Sequence, residues 1–196
     1  SIRHDALIKR AVEFGMPAVA MTDHGNMFGT VEFYNTAKKH GIKPIIGCEV
    51  YVAPESRHEK KSKDNLRDAS YHLILLCENE KGYKNLLRLV TKGYLEGFYY
   101  KPRIDKELLA EYSEGLIALS SCIRGEVAHN VNRENVPRAT KVAAQYAEIM
   151  GPNNFFLELQ NHGMESQDRI NRDIVAIGQK LDIPIVATNN CHYMDR

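Results

Sequence analysis

The chain has almost no excess charge and no long apolar run. Its 26 Lys and Arg balance 25 Asp and Glu, for a net charge of +1. The chain as a whole therefore carries no nucleic-acid footprint, and any such contact needs a local patch. No stretch approaches the ~20 apolar residues of a membrane span. No signal peptide is read at the start, because the first residues enter an amphipathic helical pattern directly. The four cysteines, Cys48, Cys77, Cys122 and Cys191, have no CxxC spacing. Each follows or ends an apolar run, which suits reduced buried thiols or single metal ligands better than disulfides. These absences place the protein in the cytoplasm, away from membranes. Its 196 residues suffice for one sizeable domain with one core.

What is present is a repeated sentence. EFGMPAVAMTDHG (13–25), KHGIKPIIGCE (39–49) and KLDIPIVATNNCH (180–192) share one order. Each has a helix end, a turn with proline, a short apolar run and then a residue able to bind metal. That order describes β/α units whose strands deliver chemistry at one end, as in barrels with active sites on the C-terminal face.

The periodicity predicts helices over 5–15, 29–40, 80–95, 105–112, 134–149 and 165–181. Asp5 reads as the first N-cap, Val31, Tyr34 and Ala37 as the inward stripe of the second helix, and Pro137 as a first-turn proline. Strands are predicted at 18–22, 44–52, 71–77, 116–121, 155–160 and 183–188, with a lysine-rich loop over 54–70. The runs are continuously apolar, as for parallel strands buried on both faces. Strands alternating with helices imply an α/β fold. Ligand-type residues on many strands favour a barrel over an open sheet.

The candidate ligands are His24, Glu49, His72, Cys122 and His192, with Asp23, His162, Asn190 and Cys191 nearby. Imidazole, carboxylate and thiolate together suit zinc, iron or manganese rather than calcium. A single histidine beside a strand is usually just satisfied or exposed, so the argument rests on repetition at strand ends.

The runs TDHGNMFGTVEFYNTAKKHGIKPIIGCEVYVAP, YHLILLCENEKGYKNLLRLVTKGYLEGFYYKPRIDKELL, EGLIALSSCIRGEV and PIVATNNCHY closely resemble the PHP (polymerase and histidinol phosphatase) domain of bacterial DNA polymerase III alpha subunits. The resemblance covers essentially residues 1–196 and implies a distorted seven-stranded β/α barrel, TIM-like, with a cluster of up to three metal ions. It implies zinc, with Mn2+ or Fe2+ as alternatives, held by His24, Glu49, His72, Cys122 and His192. It also implies a longer DNA-directed DNA polymerase that works with DNA and other replicase subunits, and a domain that stabilises it or removes nucleotides from a DNA 3′ end. The family's opening strand, with its His-x-His motif, would precede Ser1, so the barrel is expected here without its first strand. Asn190 stands where the family has a ligand aspartate, and is not carried over as a ligand. The rival readings are a scaffold with a weakened cluster and a free-standing phosphatase for a small phosphate ester.

Asp23 can fix a ligand imidazole or cap the following turn; His162 can face substrate or solvent. Lys81, Lys84, Arg88, Lys92, Lys101 and Arg103 lie among tyrosines and Phe98, a mixture that can bind phosphate. The alternative is that the lysines are a helix's solvated face. Arg103, beside Pro102, is the residue expected to clamp a phosphate.

Overall fold

The computed structural model describes residues 2–60 and 70–194. Helix α1 (His4–Glu13), strand β1 (Ala18–Met21) and helix α2 (Thr30–Lys39) open the chain. Strands β2 (Lys43–Val52) and β3 (Tyr71–Cys77) lead to α3 (Glu80–Leu95), a short β4 (Arg103–Ile104), and α4 (Lys106–Glu111). Then follow β5 (Leu116–Leu119), α5 (Glu126–Asn132), α6 (Val136–Met150), β6 (Phe155–Leu159), α7 (Glu165–Leu181) and β7 (Ile185–Ala187).

The sheet runs β1-β2-β3-β5-β6-β7, with β4 beside the end of β2. Among the described residues β1 and β7 do not pair, so the sheet curls into a half-barrel open between them. The expectation of largely parallel strands needs one correction. β1–β2, β2–β4, β5–β6 and β6–β7 are parallel, but β3 runs antiparallel to both β2 and β5. The described residues between β2 and β3 include no helix, and β3 pairs antiparallel instead of through the helical crossover that usually joins parallel neighbours. The reversal has a chemical result: the first residues of β3 lie at the end where β1 and β2 finish.

The sheet's outer face packs against the helices. Leu73, Leu75, Leu86, Leu89, Leu108, Val142, Leu157 and Ile174 belong to one large buried core, and Ile8, Phe33 and Ala37 to a smaller one under α1 and α2. Local signals hold the helices. Asn79 accepts from the Gly82 amide at 3.0 Å, Asp105 from Leu108 at 3.0 Å, and Asn135 from Arg138 at 3.1 Å. Such caps are worth about 1 kcal/mol each.

Other expectations fail for physical reasons. Asp5 is not the first cap: Arg3 holds that position and Asp5 sits in the first turn, paired with Lys9. Val31 and Tyr34 face solvent while Thr30, Phe33 and Ala37 are buried, a stripe rotated by one residue. Strand β4 and helix α5 were not anticipated, being too short to show periodicity. Much of the lysine-rich loop, residues 61–69, lies outside the described residues.

Candidate metal centre

The inner face of the half-barrel forms a pit of about 710 Å³, lined by His24, Glu49, Cys122, Glu158, Thr188, Asn190 and His192 among others. These side chains come from β2 and β6 and from the segments that follow β1, β5 and β7. His24 follows β1 through a turn in which Gly25 takes φ +69°, and a Cβ there would come within 2.9 Å of Tyr51. Glycine is thus required both by the left-handed backbone and by the lack of space. The Gly25 amide donates to Glu49 O (2.9 Å), and the Glu49 amide to Asp23 O (3.0 Å), which zips His24 beside Glu49 beyond the end of β1. His72 comes from the start of the reversed β3; its amide donates to Arg124 O at 3.1 Å. Tyr51 stacks edge-on against its ring, centroids 5.2 Å apart. Cys122 follows β5.

The five expected ligands converge. Glu49 Oε1 lies 2.8 Å from His72 Nδ1, and Cys122 Sγ 4.0 Å from the same nitrogen. One atom from each of these three lies within 4.8 Å of the others. Around a tetrahedral zinc, with bonds of about 2.0–2.3 Å, ligand atoms stand roughly 3.5 Å apart, so small shifts of these three would bring them around one ion. His24 Nε2 is 3.7 Å from Glu49 Oε1, and the His24 ring lies 5.6 Å from that of His192. Glu49 and His72 are buried, whereas His24 and His192 are open to solvent at the mouth.

The electrostatics fit ligands without an ion between them. Burial pulls the His72 imidazole down, but Cys122 and Glu49 outweigh it and push it up to about 9. Burial raises the carboxyl of Glu49, yet the hydrogen bond and charge of His72 bring it below the usual range. Burial likewise raises Cys122, and His72 and the backbone of Arg124 reverse the shift, lowering the thiol. Cys48 and Cys77, with no such partner, are pushed up to about 12 by burial. Of Cys48, Cys77 and Cys122, only Cys122 is biased toward the thiolate that binds metal. A nitrogen, a carboxylate oxygen and a thiolate form a donor set suited to zinc.

The remaining expectations divide. Asp23 does not touch a ligand imidazole; its carbonyl accepts from Glu49 and from Cys48 Sγ. The turn after it is fastened instead by Asn26, which accepts from the Phe28 amide at 3.1 Å. His162 is drawn away to the start of α7, where Gln167 meets its Nδ1 at 2.9 Å and its amide at 2.8 Å. Asn190 lines the pit. Arg103 overturns the phosphate-clamp expectation: it is 2% exposed. Its Nε donates to Gly97 O at 3.0 Å, and its Nη2 to Arg57 O at 3.2 Å and Glu59 O at 2.8 Å. It ties a loop to a strand. Lys81, Lys84 and Lys92 are paired with Glu114, Glu80 and Glu96, as the solvated-face reading expects.

Sequence reasoning passed over Ser121 and Glu158, both buried in the wall of the pit. Glu158 had a visible signal: it is a carboxylate that interrupts the apolar run FFLEL.

Comparison with known proteins follows this geometry. The sequence matches the PHP domain family over residues 1–162. It is 48% identical over 190 residues to DNA polymerase III subunit alpha of Borreliella burgdorferi, covering 97% of this chain and 16% of that protein. It is 44% identical over 199 residues to the same subunit of Aquifex aeolicus, covering 100% of this chain and 17% of that one. The Thermus aquaticus subunit is 46% identical over 178 residues, 91% of this chain and 14% of the relative. The chain thus spans only 14–17% of these relatives' length. Among solved structures, an amidohydrolase from Chromobacterium violaceum aligns with a TM-score of 0.59 at 12% identity, over 98% of this chain and 83% of that one. A two-domain protein from Bacteroides vulgatus containing a predicted PHP-like metal-dependent phosphoesterase aligns at 0.51 and 13% identity, over 98% and 48%. These two likenesses speak for the fold alone. No helix among the described residues is long and apolar enough to cross a membrane.

Proposed function

This chain belongs to the PHP domain family, and on that premise we propose that it is the PHP domain of a bacterial replicative DNA polymerase alpha subunit, with a zinc-binding centre directed at phosphodiesters. The observation that carries this reading is the convergence of Glu49, His72 and Cys122 within 4.8 Å at the floor of an open pit. Identities of 44–48% with polymerase alpha subunits support the wider assignment. DNA and the other replicase subunits are then the partners of the longer polymerase, and DNA synthesis its activity.

Glu49, His72 and Cys122 would hold the metal, with His24 and His192 completing the site at its mouth. A bound zinc would supply an acidified water and neutralise charge on a phosphate. The chain's own residues prepare that chemistry. His72 sits against Tyr51, so its ring cannot swing freely. The lowered thiol of Cys122 gives up its proton more readily than an ordinary cysteine. The exposed imidazoles of His24 and His192 stand where an entering DNA 3′ end would meet the site.

A second reading is favoured by Asn190, a neutral amide on the pit wall. A scaffold that binds metal but turns over little would stabilise the polymerase without editing it. One experiment separates the two: zinc stoichiometry is measured beside cleavage of a 3′-mismatched primer, for the native chain and for Asn190→Asp. One or more tightly bound zinc ions lost in His72→Ala supports the centre. Metal-dependent cleavage abolished by His24→Ala supports the nuclease. Zinc binding without cleavage in either chain supports the scaffold, and absence of zinc binding overturns the proposal.

A further inference from the structure

Four carboxylates are buried in the described part of the protein: Glu49, Asp105, Glu126 and Glu158. Three have a cationic partner. Glu49 faces His72 at 2.8 Å, Asp105 faces Arg57 at 2.9 Å, and Glu126 faces Lys106 at 2.8 Å. Glu158 has none among the described residues. Its Oε1 accepts from Gln160 Nε2 at 3.0 Å and from the hydroxyl of Thr188, both neutral. Its Oε2 is buried with no hydrogen-bond partner, and so is Ser121 Oγ. A buried charge is ordinarily paired or bound to a metal.

Ser121 and Glu158, the residues that carry these two oxygens, line the same small cavity. It holds about 20 Å³ and is walled by Ser121, Cys122, Glu158, Gln160 and residues of α7. That exceeds the ~10–15 Å³ one water-sized occupant needs. Ser121, Cys122, Glu158 and Gln160 also line the large pit, so the small cavity is a recess in its wall. Ser121 is held at φ +66° to stand there, a left-handed conformation that costs a non-glycine residue energy.

We propose that Glu158 and Ser121 form a second cation site, distinct from the Glu49–His72–Cys122 centre, that takes a hard divalent ion of the Mg2+ or Mn2+ class. A water in the recess would satisfy the two oxygens but leave the carboxylate's charge uncompensated; a cation answers both. Every donor is an oxygen, which selects hard ions over zinc. Magnesium-type ions bind through one or two carboxylates and keep several waters, and the adjoining pit has room for that shell. The site stands on charge and packing, independently of any phosphodiester chemistry.

The test uses the 196-residue chain loaded first with one equivalent of zinc. MnCl2 is then titrated while the electron paramagnetic resonance of free Mn2+ is followed. One Mn2+ should bind beyond the zinc. Glu158→Gln should weaken it by more than about 10-fold, the scale on which neighbours of a metal act, and leave zinc affinity unchanged. Ser121→Ala should weaken it less. His72→Ala should lose zinc and keep Mn2+, so failure of the zinc centre and failure of this site are told apart. Native Mn2+ affinity in Glu158→Gln, or no Mn2+ beyond zinc in the native chain, overturns the proposal. If Glu158→Gln does not fold, Ser121→Ala decides, and unchanged Mn2+ affinity in that variant overturns the site.

Discussion

Two buried polar clusters lie at the edge of this sheet, and they are built on opposite principles. Around Arg103, the charged side chains are answered by partners. Arg57 grips both oxygens of Asp105 at 2.9 and 3.0 Å and reaches Glu96 at 2.7 Å, and Arg103 is spread over three carbonyls. In the pit, three ligand atoms crowd together around His72, and Glu158 Oε2 and Ser121 Oγ face no donor. A closed network rigidifies; an open one waits for something from outside. By residue type alone, both clusters offer candidate binding groups. Satisfaction of hydrogen bonds separates them.

The sharpest break of this comparison is Asp105→Ala. It leaves the half-buried Arg57 with Glu96 alone and uncaps α4, so the loss should be about 1–3 kcal/mol. Urea denaturation checks it, and zinc affinity of the surviving folded protein should be native. An unchanged midpoint would mean that the closed network is not structural. His72→Ala should do the converse: zinc binding, read by a chromophoric chelator, should fall by more than about 100-fold, beyond the range for outer neighbours. The metal-free variant should also lose stability, because Glu49 is left buried without its closest cationic partner.

Acidity sharpens the contrast further. His72 is held at about 9, above the ordinary histidine value of 6.5. A raised imidazole stabilises the fold fully below its unfolded value and loses that contribution as pH rises through 9. The metal-free protein should therefore weaken between pH 7 and 10, as urea midpoints will show, and His72→Gln should flatten that slope. Zinc affinity should move the other way, rising over the same interval, because the metal must displace the imidazole proton. The closed network gives no such signature. The smallest effect belongs to Lys84→Ala on the exposed face of α3, which should change neither urea midpoint nor zinc affinity.

The sequence made the candidate ligands legible because each lies in, ends or heads an apolar run, and runs such as AVAM or IIGCEV announce strands by composition alone. Direction was not legible. Nothing in YHLILLC says that β3 points backward; its antiparallel pairing with β2 and β5 shows it. Yet the reversal is why His72, at the head of its strand, joins residues that stand at the tails of theirs. Arg103 was misjudged because a loop arginine and a buried one read alike until the carbonyls around it are known. Glu158 was overlooked because one acid in FFLEL can as easily be a solvated edge position as a charge inside a barrel.

Strand β2 touches three neighbours in turn: Ala18–Met21 pair with its first half, Tyr71–Leu76 with its second, and Arg103–Ile104 with its last two residues. Successive side chains point to opposite faces, so a shift of one residue against any of these partners would exchange the two faces of β2. Glu49 would turn into the dry core and Cys48 would turn into the pit. The choice between an oxygen and a sulfur at this corner of the pit is thus written in the alignment of three backbone ladders as much as in the identity of residue 49.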